Sequence, residues 1–119
     1  MNIPRFVNAV RHPFTEYQVQ RAKTKHRKVH QRCAVCGVAA TFFSRNNDVH
    51  HKTPVHVDPN AATDKDNLVT MCRLHHWLVG HLRNWRTWNR GVIKHIEVVK
   101  HAYTEIEHEK EATEKEESR

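Results

Sequence analysis

Apolar residues along this chain fall into two patterns. In the last third they recur at three- and four-residue intervals, which is the spacing of one face of an α-helix. The spacing predicts a long helix that begins at residue 92, after Gly91. From Glu105 onward charged residues replace the apolar ones, so this part of the helix is expected to fray or to stay disordered. The apolar positions of the predicted face are Val92, Ile93, Ile96, Val99, Ala102, Tyr103 and Ile106.

The middle of the chain carries short runs that are typical of strands. Residues 40 to 44 and 48 to 52 flank a turn at 45 to 47 and predict a β-hairpin. Residues 53 to 66 contain two prolines and three aspartates and predict a loop. A second strand is expected at 67 to 71, and a helix from about residue 74 to about residue 85.

The N-terminal side predicts a basic helix from about residue 15 to about residue 30, after an irregular segment that ends at Pro13. Thr15 can cap this helix, and Gln18 follows three residues later in a capping-box arrangement. Between residues 21 and 32 there are six Lys or Arg and no acid. This face is either simply solvated or contacts phosphates. The phosphate contacts expected here are Lys23, Lys25, Arg27, Lys28 and Arg32.

Composition describes a small basic domain. The chain has 119 residues, of which 38% are hydrophobic and 28% charged, so we expect one domain with a modest core. The net charge of +7 is unevenly placed, with a balance of +11 in residues 1 to 104 and −4 in residues 105 to 119. A basic body favours a polyanionic partner, although many basic proteins bind nothing in particular.

Cysteine and histidine usage points to metal binding inside the cell. Three cysteines cannot all pair in disulfides, and an odd number at short spacing is typical of a metal site in a reducing cytosol. The sequence carries neither a recognisable secretory leader nor an apolar run long enough to span a bilayer. We therefore expect a cytoplasmic protein without membrane association. Twelve histidines, a high number for this length, also favour metal binding.

Two pairs of metal-binding residues carry the most specific signal. Cys33 and Cys36 are separated by two residues, as are Cys72 and His75. This spacing lets one turn present two ligands to one ion, and two such turns complete a tetrahedron of three thiolates and one imidazole. A lone CxxC could be a redox motif, and the cysteines could also be small buried residues beside an ordinary surface histidine. The two pairs together predict a structural Zn²⁺ that holds the fold and does no chemistry.

The order of motifs around these pairs resembles a nuclease family. The segment DVHHK at 48 to 52 is followed by DNLV at 66 to 69 and by CRLHH at 72 to 76. This series resembles the HNH endonucleases from about residue 33 to about residue 81. The resemblance implies an α+β fold with a ββα-metal core, flanked by an N-terminal and a long C-terminal helix. It also implies metal-dependent hydrolysis of DNA phosphodiester bonds.

The resemblance assigns roles to individual residues. His51 matches the general base that takes a proton from water, and Asn67 matches the residue that holds this base in place. His50 and His76 match the ligands of a catalytic divalent ion, which would be Mg²⁺, Mn²⁺, Ni²⁺ or Zn²⁺. The family usually has cysteine where His75 stands, so we expect His75 to bind the structural zinc. Adjacent strand residues face opposite sides, so His50 and His51 cannot share one task on a regular strand.

Several other residues have more than one interpretation. Lys52, Arg83 and Arg86 are expected to contact nucleic acid, although Arg83 and Arg86 could equally solvate their face. His81 could be an added ligand, a phosphate contact or a packed helix residue, and packing is favoured. The three tryptophans are expected to pack in the core or to dock a helix, rather than to stack on bases.

Together these patterns predict a basic helical arm at 1–32, a zinc-stapled HNH domain at 33–91 and a C-terminal helix with an acidic tail at 92–119. Double-stranded DNA is the expected partner. Residues 80 to 89 resemble small phage-type HNH proteins. This resemblance implies other phage or packaging proteins as further partners, and a location in the cytoplasm of a bacterial host. The main alternative is a zinc-stabilised nucleic-acid-binding module without catalysis, which would have no use for the four residues His50, His51, Asn67 and His76. A third alternative is a structural adaptor that docks through the acidic tail.

Overall fold

The computed structural model describes residues 13–39 and 47–118. The strand predicted at 40 to 44 and the irregular segment before Pro13 lie outside these residues. Within them the chain has an α+β architecture, with three α-helices and a two-stranded antiparallel sheet.

Helix α1 spans Glu16–Val29, and its start follows the predicted capping box. The Thr15 hydroxyl accepts a hydrogen bond from the backbone N–H of Gln18 at 3.2 Å, and the Gln18 side chain accepts one from the Thr15 N–H at 2.8 Å. No residue of this helix is fully buried, so apolar packing alone does not hold it. Arg27 Nε donates to the backbone carbonyl of Asn47 at 2.8 Å, which ties α1 to the start of the sheet.

The sheet pairs strand β1 (Asp48–His51) with strand β2 (Leu68–Met71), with His50 opposite Val69. The segment predicted to form a hairpin with β1 is outside the described residues, and the partner that the structure shows is β2. His50 is buried and His51 is only partly buried, as expected for neighbours on opposite faces of a strand. The predicted loop between the strands contains two short 3₁₀ turns, Pro59–Ala61 and Lys65–Asn67.

After β2 the chain forms a short helix with an unusual end. Helix α2 (Arg73–His75) is a single turn, and it continues directly as a π-helical turn over His76–Gly80. The helix predicted to reach residue 85 is wrong in its C-terminal half, because helical structure stops at Gly80. Leu82 and Arg83 have φ angles of 51° and 67°, a left-handed conformation that cannot continue a right-handed helix.

Helix α3 spans Val92–Glu117 and begins at the predicted residue. Fraying was expected from Glu105, but the helix continues without a break to Glu117. Acidic and basic residues recur at four-residue spacing along this stretch, which supports an exposed helix through favourable side-chain pairs. His101 and Glu105 form one such pair at 3.2 Å.

The core is small and joins four parts of the chain: the first cysteine pair, β2, the π turn and the start of α3. No helix within residues 13–39 and 47–118 is both long and apolar enough to cross a membrane. The buried apolar residues of the core are Cys33, Val35, Met71, Val79, Val92 and Ile96.

Candidate metal centres

The first cysteine pair lies in a tight turn whose backbone is closed by hydrogen bonds. The N–H of Gly37 donates to the Cys33 carbonyl at 2.9 Å, and the N–H of Cys33 donates to the Val38 carbonyl at 2.9 Å. Gly37 has a φ of 77°, which glycine adopts without strain. The Val35 N–H points at Cys33 Sγ at 3.4 Å, so the turn also fixes the sulfur.

The second pair is presented by α2. Cys72 is the N-cap residue of this helix, and its carbonyl accepts a hydrogen bond from the N–H of His76 at 2.8 Å. His75 then lies one turn along, with its Nδ1 atom 3.2 Å from Cys72 Sγ and 3.8 Å from Cys33 Sγ. A thiolate and an imidazole nitrogen on one tetrahedral zinc ion are about 3.5 Å apart, given the usual bond lengths.

The four ligand atoms of Cys33, Cys36, Cys72 and His75 all lie within 4.8 Å of one another, and we call this set the cysteine centre. Such a cluster can bind a metal ion such as zinc. The division that the sequence predicted, with His75 beside the cysteines, is the arrangement in the structure.

Electrostatics in the cysteine centre favour a bound cation. Burial, together with the neighbouring thiols, raises the pKa of Cys72 to about 11. Burial would also raise the pKa of Cys33. Backbone N–H groups that point at its sulfur outweigh the effect of burial, so the pKa of this thiol is lowered. Burial also lowers the pKa of His75, which favours the neutral ring that can bind a metal. A metal ion would supply the positive charge that lets all three thiols ionise together.

A second cluster consists of His50, His76 and His81, which we call the histidine centre. One ring nitrogen from each lies within 4.8 Å of the others. His76 Nε2 is 3.2 Å from His50 Nδ1 and 3.2 Å from His81 Nε2. Two nitrogens on one tetrahedral ion are about 3.3 Å apart, so these spacings fit a common metal ligand set.

Hydrogen bonds to the outer nitrogens determine which atoms face the middle of the histidine centre. His76 Nδ1 donates to the Asp48 carboxylate at 2.9 Å, and His81 Nδ1 donates to the backbone carbonyl of Thr87 at 3.0 Å. In the neutral rings both Nε2 atoms then carry lone pairs that point at each other across 3.2 Å. Two acceptors at this distance need a positive charge between them, and a divalent cation supplies one.

Burial favours the neutral form of two rings of the histidine centre, those of His50 and His76. It lowers the pKa of His50 to about 3, assisted by the neighbouring His76 and His81, and it lowers the pKa of His76 even though Asp48 acts in the opposite direction. His50 Nε2 is buried with no hydrogen-bond partner among the described residues. If His50 binds a metal through Nδ1, its proton stays on that unpartnered Nε2.

His81 is the member of the histidine centre for which the sequence favoured packing over a ligand role. Ligands on one face of an α-helix are three or four residues apart, and His81 comes five residues after His76. In a π turn the backbone hydrogen bonds join residues i and i+5, so two residues five apart, such as His76 and His81, lie on the same side of the turn. Gly80 provides the room, because a Cβ there would lie 3.1 Å from His76 Cδ2 and 3.2 Å from His50 Nδ1.

His51 faces the loop that follows β1. Its Nε2 atom donates to the backbone carbonyl of Ala62 at 2.8 Å, which leaves the lone pair on Nδ1. Asn67 accepts from the Thr53 N–H at 2.8 Å and donates to the carbonyls of Thr53 and Ala61 at 3.1 Å. Asn67 thus ties the start of the loop at Thr53 to Ala61, the neighbour of the residue whose carbonyl orients His51, and none of its hydrogen bonds within the described residues goes to His51.

An aromatic ring and an arginine cover one side of the histidine centre. The ring centre of Trp85 is 5.0 Å from that of His76 and 5.1 Å from that of His81. Trp85 is 45% exposed and so lies outside the core, and of the two positions expected for it the structure shows packing against the π turn. Arg73 lies over the Trp85 ring at 4.9 Å and also pairs with Asp48 at 3.3 Å.

The predicted nucleic-acid contacts are spread over several surfaces. Lys25 and Lys28 lie on the exposed side of α1, and Arg83 and Arg86 are exposed beyond the π turn. Lys23 is partly buried and close enough for its charge to lower the pKa of His50, His51 and His76.

Three of the predicted contacts also bond to backbone carbonyls. Arg27 bonds to Asn47, Arg32 donates to the Gly37 carbonyl at 3.1 Å and Lys52 donates to the Asp66 carbonyl at 2.9 Å. A groove of about 420 Å³ beside β2 is lined by basic side chains from the end of α1, from the residue before Cys33 and from the loop between the strands, together with Asp66. The basic residues that line it are His26, His30, Arg32, Lys52 and Lys65.

No protein-family model, curated protein or solved structure matches this chain. The resemblance to HNH endonucleases accordingly rests on the motif residues themselves.

Proposed function

We propose that this protein is a metal-dependent HNH endonuclease that hydrolyses phosphodiester bonds in DNA. The observation that carries the proposal is the histidine centre, next in the chain to a histidine whose ring is oriented by a backbone carbonyl. A pure binding module needs the cysteine centre and a basic surface. It has no use for three histidines whose ring nitrogens converge to within 4.8 Å of one another.

In this proposal His50, His76 and His81 hold a divalent ion. Three protein ligands leave a position open for substrate, which is the usual arrangement of catalytic metal sites. When bound, the ion would stabilise negative charge on the phosphate and on the leaving oxygen. Asp48 fixes the His76 ring in the tautomer that presents Nε2, as outer carboxylates do in many metal sites.

His51 is the proposed general base, and Nδ1 is the atom that accepts the proton from water. The Ala62 carbonyl holds the proton on Nε2, so Nδ1 is the free nitrogen. Burial lowers the pKa of His51, which keeps this nitrogen unprotonated at neutral pH. Asn67 is a positioning residue that acts through the loop. A phosphate that reaches both His51 and the histidine centre would lie over the end of β1.

We propose Zn²⁺ for the cysteine centre, with a structural role. Four protein ligands close the coordination sphere, so no position is left for a substrate. The basic body and the groove beside β2 suit double-stranded DNA as the partner. A phage or packaging context and a cytoplasmic location stay predictions from the sequence.

The test is cleavage of supercoiled plasmid in the presence of Mg²⁺, Mn²⁺ or Ni²⁺ by the wild type, by His51→Ala and by His56→Ala. His56 is exposed in the loop after β1 and serves as the matched control. We expect His51→Ala to cut about 10²- to 10⁴-fold more slowly, the usual contribution of a general base, and His56→Ala to cut like the wild type. Equal cutting by all three proteins would exclude His51 as the base. DNA binding without cutting in any metal would favour the non-catalytic module.

A further inference from the structure

Helix α3 contacts the cysteine centre through one side chain. The Tyr103 hydroxyl oxygen is 3.1 Å from His75 Nε2, and the two rings meet edge to face with their centres 5.5 Å apart. The sequence pattern identified Tyr103 only as a member of an apolar stripe. Its ring is 38% exposed, so burial of apolar surface alone does not explain its position.

A metal ion on His75 Nδ1 would determine the direction of this hydrogen bond. His75 Nδ1 faces the sulfur atoms of Cys72 and Cys33, and Nε2 is the nitrogen on the far side of the ring. With Nδ1 as the ligand atom, the ring proton resides on Nε2 and is donated to the Tyr103 oxygen. Metal-bound histidines usually donate this second N–H to an outer partner, which fixes the ring and raises its basicity as a ligand.

The same bond lies at the outer edge of the packing of α3. Val92 and Ile96 are buried and Val99 packs against the core, whereas every described residue from 100 to 118 is exposed. Among the described residues, the side-chain hydrogen bonds of α3 beyond residue 100 stay within the helix, with the exception of Tyr103 to His75.

We propose that Tyr103 is a positioning residue for the metal ligand His75, and that metal binding at the cysteine centre thereby fixes α3 beyond residue 99 to the domain. This inference rests on the proposed occupancy of the cysteine centre by zinc. It gives the C-terminal helix a role in metal affinity that is separate from the histidine centre and from cleavage.

The first test compares zinc affinity in Tyr103→Phe with that of the wild type, measured by competition with a chromophoric chelator. Tyr103→Phe keeps the ring and removes only the hydroxyl. Tyr17→Phe, which alters a tyrosine that is 72% exposed on α1, is the matched control. Outer partners of metal ligands contribute about 10- to 100-fold in affinity, so we expect at least a tenfold loss in Tyr103→Phe and none in Tyr17→Phe.

Two further readouts separate positioning from simple packing. With Co²⁺ in place of zinc, the visible absorption bands of the metal are expected to shift in Tyr103→Phe, because the ligand strength of His75 changes. In the zinc-loaded proteins, amides 100 to 106 are expected to exchange hydrogen faster in Tyr103→Phe, while amides 33 to 37 stay equally protected. In the wild type, the His75 Nε2–H should be protected from exchange with solvent, a measurement that requires no variant.

The outcomes distinguish this inference from the proposed zinc site. Failure of the wild type to bind zinc would overturn the zinc assignment itself. Zinc binding by the wild type, with an affinity within twofold in Tyr103→Phe and unchanged Co²⁺ bands, would overturn the role of Tyr103 and leave the zinc site standing.

Discussion

The cysteine centre takes His75 from α2 and the histidine centre takes His76 from the adjoining π turn, and the two centres differ in their surroundings. The cysteine centre adjoins the hydrophobic core, and Cys33 itself belongs to that core. The histidine centre is bordered by exposed Trp85 and Arg73, and it offers three candidate ligands instead of four. Two adjacent histidines, His75 and His76, therefore belong to two different clusters of candidate metal ligands. In the proposed function, His75 completes a closed structural site and His76 belongs to a site with an open position.

The largest effect is expected from breaking the cysteine centre. Structural zinc contributes on the order of 10 kcal/mol to the folding of small domains, which is comparable to the whole stability of about 5–15 kcal/mol. We therefore expect Cys72→Ser to be unfolded or to melt at a much lower temperature. Serine is a good N-cap residue, so this change leaves the start of α2 intact.

The control for that prediction is His76→Ala, which removes a ligand from the histidine centre only. Its melting temperature, followed by circular dichroism, should stay within a few degrees of the wild type while cleavage is lost. If Cys72→Ser melts like the wild type, the structural role of the cysteine centre is wrong. If His76→Ala unfolds as well, the two centres are not functionally distinct.

An intermediate effect is expected from closing the space at Gly80. A methyl group there would press on His76, on His50 and on the end of the Met71 side chain, at 3.0 to 3.2 Å. Small displacements of catalytic groups cost up to about 10²-fold in rate, so we expect Gly80→Ala to cut about 10- to 100-fold more slowly. Its affinity for Ni²⁺, measured by calorimetry on zinc-loaded protein, should fall in parallel.

Gly91→Ala is the matched control, since a methyl group at Gly91 would meet its nearest atom only at 3.9 Å and the φ angle there is negative. We expect this variant to bind Ni²⁺ and to cut DNA like the wild type. Equal Ni²⁺ affinity in Gly80→Ala and Gly91→Ala would show that the three histidines do not share an ion.

The smallest expected effect concerns pH. Burial lowers the pKa of His51, assisted by the charge of Lys23, although the bond to Ala62 acts in the opposite direction. A base works in its unprotonated form, so activity is full above this pKa and is lost as pH falls through it. The midpoint of the acid limb should therefore lie below pH 6.5, the ordinary value for histidine.

The measurement is single-turnover cleavage between pH 5 and pH 8 at saturating metal, with the metal content of the protein checked at each pH. In Lys23→Ala the midpoint should move upward, because a nearby positive charge has been removed. A wild-type midpoint above pH 6.5, or no shift in Lys23→Ala, would contradict the assignment of the limb to His51.

The two centres also differ in how far the sequence predicts them. Every ligand of the cysteine centre lies in a pair with two residues between its members, and local turns suffice to bring each pair together. The histidine centre depends on the π turn, which no propensity of residues 76 to 80 indicates. For that reason packing was favoured for His81. The sequence also did not identify Asp48 as the carboxylate that orients the His76 ring.

The fold shows the same division between local and non-local information. The capping box at Thr15 and the start of α3 at Val92 follow from neighbouring residues, and both were predicted. The end of the short helix at Gly80 depends on left-handed conformations at Leu82 and Arg83, which side-chain type alone does not favour. The pairing of β1 with β2 depends on contacts across a sixteen-residue loop.

The exposed part of α3 is long enough to place a label at a known distance from the cysteine centre. An α-helix rises 1.5 Å per residue, so Glu117 lies about 21 Å beyond Tyr103 along the helix axis. A fluorophore or a surface anchor attached near residue 117 would sit well clear of the cysteine centre. It would also test the proposed role of Tyr103, because loss of the Tyr103–His75 hydrogen bond would leave the helix beyond Val99 without a side-chain hydrogen bond to the rest of the described domain. The chain thus carries its own rigid spacer for single-molecule work.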